Sequence, residues 1–140
     1  MIRRQLINFQ NRSVDVRVGL GAFDELSRMF ASAVGKPKRA MVVWNSASSE
    51  RFDEVVEHAL VDAGFAVSQF SLEVSPAGAT LADADAIFGA LSANGITCDD
   101  LVVAVGDAAT CSVVSWCANQ WCGRTKCALL PTTFDAMLTV

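Results

Sequence analysis

The sequence predicts an α/β fold: a Rossmann-like, mostly parallel sheet of about five strands with helices on both faces. Three observations predict it. Short apolar runs of strand length alternate with stretches of helical apolar spacing along the whole chain. The run Leu101-Val102-Val103-Ala104-Val105 is almost purely apolar, as a strand covered on both faces must be. The order strand, helix, strand, helix argues for crossover connections and hence for parallel pairing. A chain of 140 residues, 52% of them hydrophobic, fits one domain with a real core.

The elements follow in order. Val14-Asp15-Val16-Arg17-Val18 alternates at period two, the pattern of a half-buried strand. Gly19 and Gly21 mark a turn. Phe23, Leu26, Met29, Phe30 and Ala33 then recur at helical spacing, and Gly35 is read as the helix terminator. After the polar loop 36–38, residues 39–44 form a short apolar run, a buried strand. Residues 45–49 are a polar connection. Phe52, Val55, Val56, Ala59, Leu60 and Ala63 share one helical face, closed by Gly64. Residues 65–72 read as a strand of weaker alternation, followed by a loop at 75–78. Thr80 with Asp83 is a capping-box pattern, with Asp in place of the longer acid. Leu81, Ala84, Ile87, Phe88 and Leu91 form the apolar stripe behind it, and Gly95 ends that helix. After the strand at 101–105, Thr110 is read as the cap of a helix carrying Val113, Val114, Cys117, Ala118 and Trp121. Residues 127–130 are one more apolar run, stopped by Pro131.

Charge narrows the function classes. The net charge is −4, which gives no support to nucleic-acid binding. Residues 1–70 carry nine basic and eight acidic side chains, whereas residues 71–140 carry two and seven. The second half therefore offers an anion little beyond backbone amides, Arg124 and Lys126. No apolar run approaches a membrane span and no secretory leader is legible, so the expectation is a cytoplasmic protein without a membrane partner. Five cysteines, an odd number, read as reduced and mostly buried, with Cys117, Cys122 and Cys127 as small hydrophobes. Trp116 and Trp121 flank one helix and fit core packing, a dimer edge or an exposed aromatic patch for a partner. His58, the one histidine, is read as a surface residue, because one histidine alone builds no zinc site. Asp99 and Asp100 are read as caps of the turn before the strand.

Open α/β sheets bind ligands at the carboxyl ends of their strands. Three strand ends qualify: Trp44-Asn45-Ser46-Ala47, Val105-Gly106-Asp107-Ala108 and Leu130-Pro131-Thr132-Thr133. A phosphate there would rest on backbone amides at a helix N-terminus. At the second end a lone Gly106 is followed by Asp107, whose charge would repel a phosphate. An ordinary strand-to-helix turn explains that pattern equally.

Three stretches resemble a family. Residues 18–26 resemble its opening strand, glycine turn and first helix. Residues 95–106 resemble the approach to its glycine-rich loop. Leu130-Pro131-Thr132-Thr133-Phe134-Asp135-Ala136-Met137 resembles its Pro-Thr-Thr segment. The family is 3-dehydroquinate synthase, with the related sugar-phosphate cyclases and, further off, glycerol dehydrogenases. The chain corresponds to the N-terminal, nucleotide-binding half. The resemblance implies NAD as cofactor, used to oxidise a sugar-acid phosphate transiently, eliminate phosphate, reduce the ketone and close a carbocycle in the shikimate pathway. It implies zinc only where a helical C-terminal half supplies a Glu and two His. The cofactor contacts it carries onto this sequence are Asn45, Gly106, Thr132 and Thr133, the two threonines toward the nicotinamide-side phosphate and ribose. The threonines serve equally as caps of the next helix.

The departures are as informative. Where the family has Gly-Gly-Gly-Val-x-x-Asp, this chain has Gly106-Asp107-Ala108-Ala109-Thr110-Cys111-Ser112. Asn45 and Ala47 replace an Asp-x-Asn that would hold a ribose. Pro76 to Ala79 replaces a Glu-x-x-Lys, Gly123-Arg124 reverses an Arg-Gly pair, and Thr139 replaces an acid. The chain closes within an expected element at Leu138-Thr139-Val140, so the expectation is a domain cut from a longer protein. As it stands the chain is expected not to catalyse alone. Two alternatives remain: a non-catalytic interaction or regulatory domain that kept the fold, or an NAD-using cyclase or dehydrogenase of altered specificity. The expected partners are the C-terminal half and a second copy, paired through the edge strand near residues 14–18.

Overall fold

A computed structural model describes residues 1–47, 52–75 and 77–139. The readings at Ser48, Ser49 and Pro76 lie outside the described residues. The elements are β1 (Arg3–Phe9), β2 (Arg12–Val18), a 3-10 turn (Ala22–Glu25), α1 (Leu26–Ala33), β3 (Arg39–Asn45), α2 (Asp53–Asp62), β4 (Ala66–Leu72), α3 (Leu81–Ala93), β5 (Leu101–Gly106), α4 (Ala108–Gln120), a second 3-10 turn (Trp121–Gly123), β6 (Lys126–Pro131) and α5 (Phe134–Thr139).

The α/β class and parallel pairing are as expected, but the strand inventory differs. The parallel sheet has four strands in the order β4-β3-β5-β6, and β1 and β2 form a separate antiparallel pair. The strand read at 14–18 lies in this ribbon, facing β1, with Val14 opposite Ile7 and Val16 opposite Gln5. A period-two pattern reports that one face is less wet than the other; it does not say which strand is the partner. β1 is hidden in the sequence because Arg-Arg-Gln-Leu-Ile-Asn-Phe places Leu6 and Ile7 side by side and masks the alternation. Ion pairs tie the ribbon down. Arg4 and Arg17 both reach Asp15, and Arg17 also reaches Glu25 at 2.7 Å.

Alternation along the central strands builds two cores. Ala40 and Val42 of β3 with Leu101, Val103 and Val105 of β5 face Leu26 and Phe30 of α1 and Val56 and Leu60 of α2. Met41 and Val43 with Val102 and Ala104 face Ala84, Ile87 and Leu91 of α3 and Val114 and Cys117 of α4. Every residue of β5 is buried, as a strand sandwiched between helix layers requires. Val55 departs from the expected helical face: it is half exposed. Gly35 is not a left-handed terminator, since α1 closes on an extended Val34. Gly95 does follow α3 in the left-handed region, at φ 65°.

The Thr80 capping box forms as read. The Thr80 hydroxyl accepts from the Asp83 amide, and the Asp83 carboxylate accepts from the Thr80 amide at 2.7 Å. Asp100 is a buried cap: its carboxylate accepts from the Thr97 amide and hydroxyl and from the Arg39 amide, pinning the entry of β5 to that of β3. His58 is on the surface, 3.2 Å from Asp62 one turn on. Among the described residues no helix is long and apolar enough to cross a membrane. Of the cysteines, Cys111 and Cys117 are buried, but Cys98 and Cys122 are exposed, so the reading of Cys122 as a buried hydrophobe is corrected. It sits in the turn after α4, where the chain has already left the core.

Candidate functional site

The strand order fixes where a ligand cleft can lie. β3 continues outward to β4 on one side, and β5 continues to β6 on the other. The chain direction across the sheet thus reverses between β3 and β5, which is where open α/β sheets form their crevice. Trp44 pairs with Val105 in this register, so Asn45 and Gly106 stand next to each other at that switch point. Gly106 in turn pairs with Pro131, and its carbonyl accepts from the Thr132 amide at 2.9 Å. Asn45, Gly106 and Thr132 are therefore brought together at one end of the sheet. Thr133 is the next residue out, and its hydroxyl accepts from the Ala136 amide at 3.2 Å in the first turn of α5.

The side chains here are bound to one another. Asp107, not Thr110, is the N-cap of α4; Thr110 lies three residues inside. One Asp107 carboxylate oxygen accepts from the Thr110 amide at 3.0 Å and from the Thr110 hydroxyl at 2.7 Å. The buried Asn45 donates through Nδ2 to the Val74 carbonyl at 3.2 Å and to the Thr110 hydroxyl at 3.4 Å. Its Oδ1 accepts from the Ala47 amide at 3.0 Å. A relay therefore runs from Asn45 through Thr110 to Asp107. It joins the end of β3, the chain leaving β4 and the start of α4. The expected cap missed Asp107 because the acid follows Gly106 directly; the spacing Asp107-Ala-Ala-Thr110 was the available signal.

Gly106 has a local reason to be glycine. Its φ is 157°, and a Cβ there would come within 3.1 Å of the Thr110 Cβ. The glycine makes room for this chain's own buried threonine.

Beside the relay, between the start of α3 and the first turns of α4, is an open cavity of about 600 Å³. Ala79, Thr80 and Leu81 line one wall, and Ala109, Ser112 and Trp116 the other, and among the described residues no charged side chain lines it. Trp116 is half exposed there. Trp121, by contrast, is tied in: its indole donates to the Ile96 carbonyl at 2.7 Å and stacks on Phe88. Burial pushes the Cys111 thiol up to about 12, with the charge of Asp107 adding to it. This cysteine is a packing group at neutral pH, not a nucleophile.

Comparison with known proteins agrees with the fold. No family model matches. A 3-dehydroquinate synthase from Nocardia farcinica (strain IFM 10152) is 28% identical over 123 residues, covering 88% of this chain and 33% of that enzyme. The chain is similar to 3-dehydroquinate synthase. Two solved structures of 2-deoxy-scyllo-inosose synthase share its fold, with TM-scores of 0.76 and 0.83 at 18% and 16% identity. They cover 94% and 96% of this chain, and this chain covers 36% and 37% of theirs. The first is a complex with carbaglucose-6-phosphate, NAD+ and Co2+. The chain thus spans about one third of the length of each of these relatives.

For the NAD that the sequence resemblance implies, the residues at the start of α4 do not fit. The Thr110 amide, a helix N-terminal donor of the kind that would meet a pyrophosphate, already holds the Asp107 carboxylate. The Asn45 amide, at the ribose position the resemblance implies, is spent inward on Val74 and Thr110.

Proposed function

We propose that this chain is a nucleotide-binding domain of the 3-dehydroquinate synthase kind that keeps the fold and closes its own anion site, so that by itself it neither binds NAD through α4 nor catalyses. The observation that carries this reading is the Asp107 carboxylate on the Thr110 amide and hydroxyl. A phosphate brought within about 4 Å of that carboxylate would meet a repulsion of about 4 kcal/mol at an effective dielectric constant of 20. That is enough to weaken a micromolar dinucleotide site to about millimolar. The metal chemistry of the family also needs ligands that this sequence, with its single His58, does not supply.

The test is an NAD titration of the wild-type chain and of Asp107→Gly by calorimetry. Glycine at the N-cap costs a few tenths of a kcal/mol, and the buried Thr110 hydroxyl loses its acceptor at about 1–2 kcal/mol more. That is small against the about 5–15 kcal/mol of a folded domain, so the variant is expected to fold. The wild type is expected to give no binding heat, and the variant to gain affinity. Equal binding by both would overturn the closure.

The β1–β2 ribbon favours a role through contact. Ile7, Phe9, Val14 and Val18 share one of its faces and are all exposed. A second copy is the proposed occupant, since the outer edge of a ribbon can repeat its own antiparallel pairing across a two-fold axis. Light scattering should then give twice the 14.9 kDa chain mass, reduced to the single chain by Val14→Lys. A wild type that remains a single chain at every concentration would contradict it.

A further inference from the structure

The two exposed cysteines lie on segments that are pinned together. The buried Thr125 places its hydroxyl 3.3 Å from the Thr97 carbonyl and 3.2 Å from the Trp121 carbonyl. Those two carbonyls belong to the peptide groups that lead into Cys98 and Cys122. The Trp121 indole adds a second tie across the same junction, to the Ile96 carbonyl at 2.7 Å. The loop entering β5 and the turn leaving α4 are thus held side by side at the end of the sheet opposite the relay. Cys122 is also, among the described residues, the non-glycine residue with positive φ, at 48°. That left-handed geometry is unfavourable for a residue with a Cβ and is held here by the structure around it.

We propose that Cys98 and Cys122 form a reversible disulfide on exposure to peroxide, a thiol oxidation site independent of the nucleotide-binding fold's own chemistry. One thiolate attacks a peroxide oxygen; the O–O bond breaks, an S–O bond forms, and hydroxide leaves and is protonated to water. The second thiolate attacks that sulfenic sulfur; the S–S bond forms, the S–O bond breaks and a second water leaves. Two electrons pass from the thiol pair to one peroxide. The other cysteines do not compete. Burial pushes Cys111 and Cys127 up to about 12 and Cys117 up to about 11, which keeps them protonated at neutral pH.

The test uses the full chain, reduced and then treated with hydrogen peroxide. Before oxidation, native N-ethylmaleimide should label Cys98 and Cys122 alone. After it, both labels should be lost, the intact mass should fall by two hydrogens, and the protein should run as a single chain without reductant. Cleavage at Asp99, Asp100 or Asp107 should leave the two cysteine peptides joined until dithiothreitol separates them. Cys98→Ser should instead leave Cys122 carrying added oxygen. Oxygen added separately to Cys98 and Cys122 in the wild type, bridged dimers, or labelling unchanged by peroxide would each overturn the proposal.

Discussion

Asn45→Asp will lower the stability of the chain by about 3 kcal/mol, because it turns a donor into an acceptor inside the relay. The Asn45 Nδ2 faces the Val74 carbonyl and the Thr110 hydroxyl, and that hydroxyl already donates to Asp107. A carboxylate in its place would face an oxygen at each contact, at a residue only 6% exposed. For a domain of this size the loss corresponds to a fall in Tm of about 10 °C, read by thermal unfolding. The introduced carboxyl would have its pKa raised by burial, so the penalty should grow as pH rises above the ordinary aspartate range and shrink as pH falls toward it. The substitution moves the sequence toward the Asp-x-Asn of the resembled family. If Asn45 instead faced an open ribose site, it would leave Tm unchanged and strengthen nucleotide binding. The two accounts therefore predict opposite results.

Thr110→Val should cost about 2 kcal/mol, measured by denaturant unfolding. Valine keeps the methyl against Gly106 but deletes the hydroxyl that accepts from Asn45 and donates to Asp107. Thr110→Ser keeps the hydroxyl and should recover most of the loss. A cycle with Asn45→Ala should show a coupling of about 1 kcal/mol, since both residues belong to one hydrogen-bonded chain. Strict additivity would mean that the relay is two separate contacts.

How much of this could be read in advance differs by element. The strand at 101–105 was legible because a strand covered on both faces must be apolar at every position, and Leu101 to Val105 is. The capping box at Thr80 and the Asp100 turn were legible because their partners lie three residues away in sequence. The ribbon was half legible: β2 shows its alternation and β1 does not, and nothing in either says that they pair away from the sheet. The inward turn of Asn45 was illegible. Its partners, Val74 and Thr110, are 29 and 65 residues distant; the β3–β4 pairing brings the first to it and the β3–β5 pairing the second. In the sequence Asp107 reads as a charge that would repel phosphate. Its second role, as the cap that takes the phosphate's place, needed the start of α4 to be set at Ala108.

The closure of the α4 end is tested most directly by titrating the wild-type chain with NAD, with ADP and pyrophosphate as controls. The account predicts no binding tighter than about 1 mM, or −4 kcal/mol, for any of the three. Saturable NAD binding well below 1 mM, shared by pyrophosphate, would mean that an anion displaces the Asp107 carboxylate from Thr110, and would contradict it.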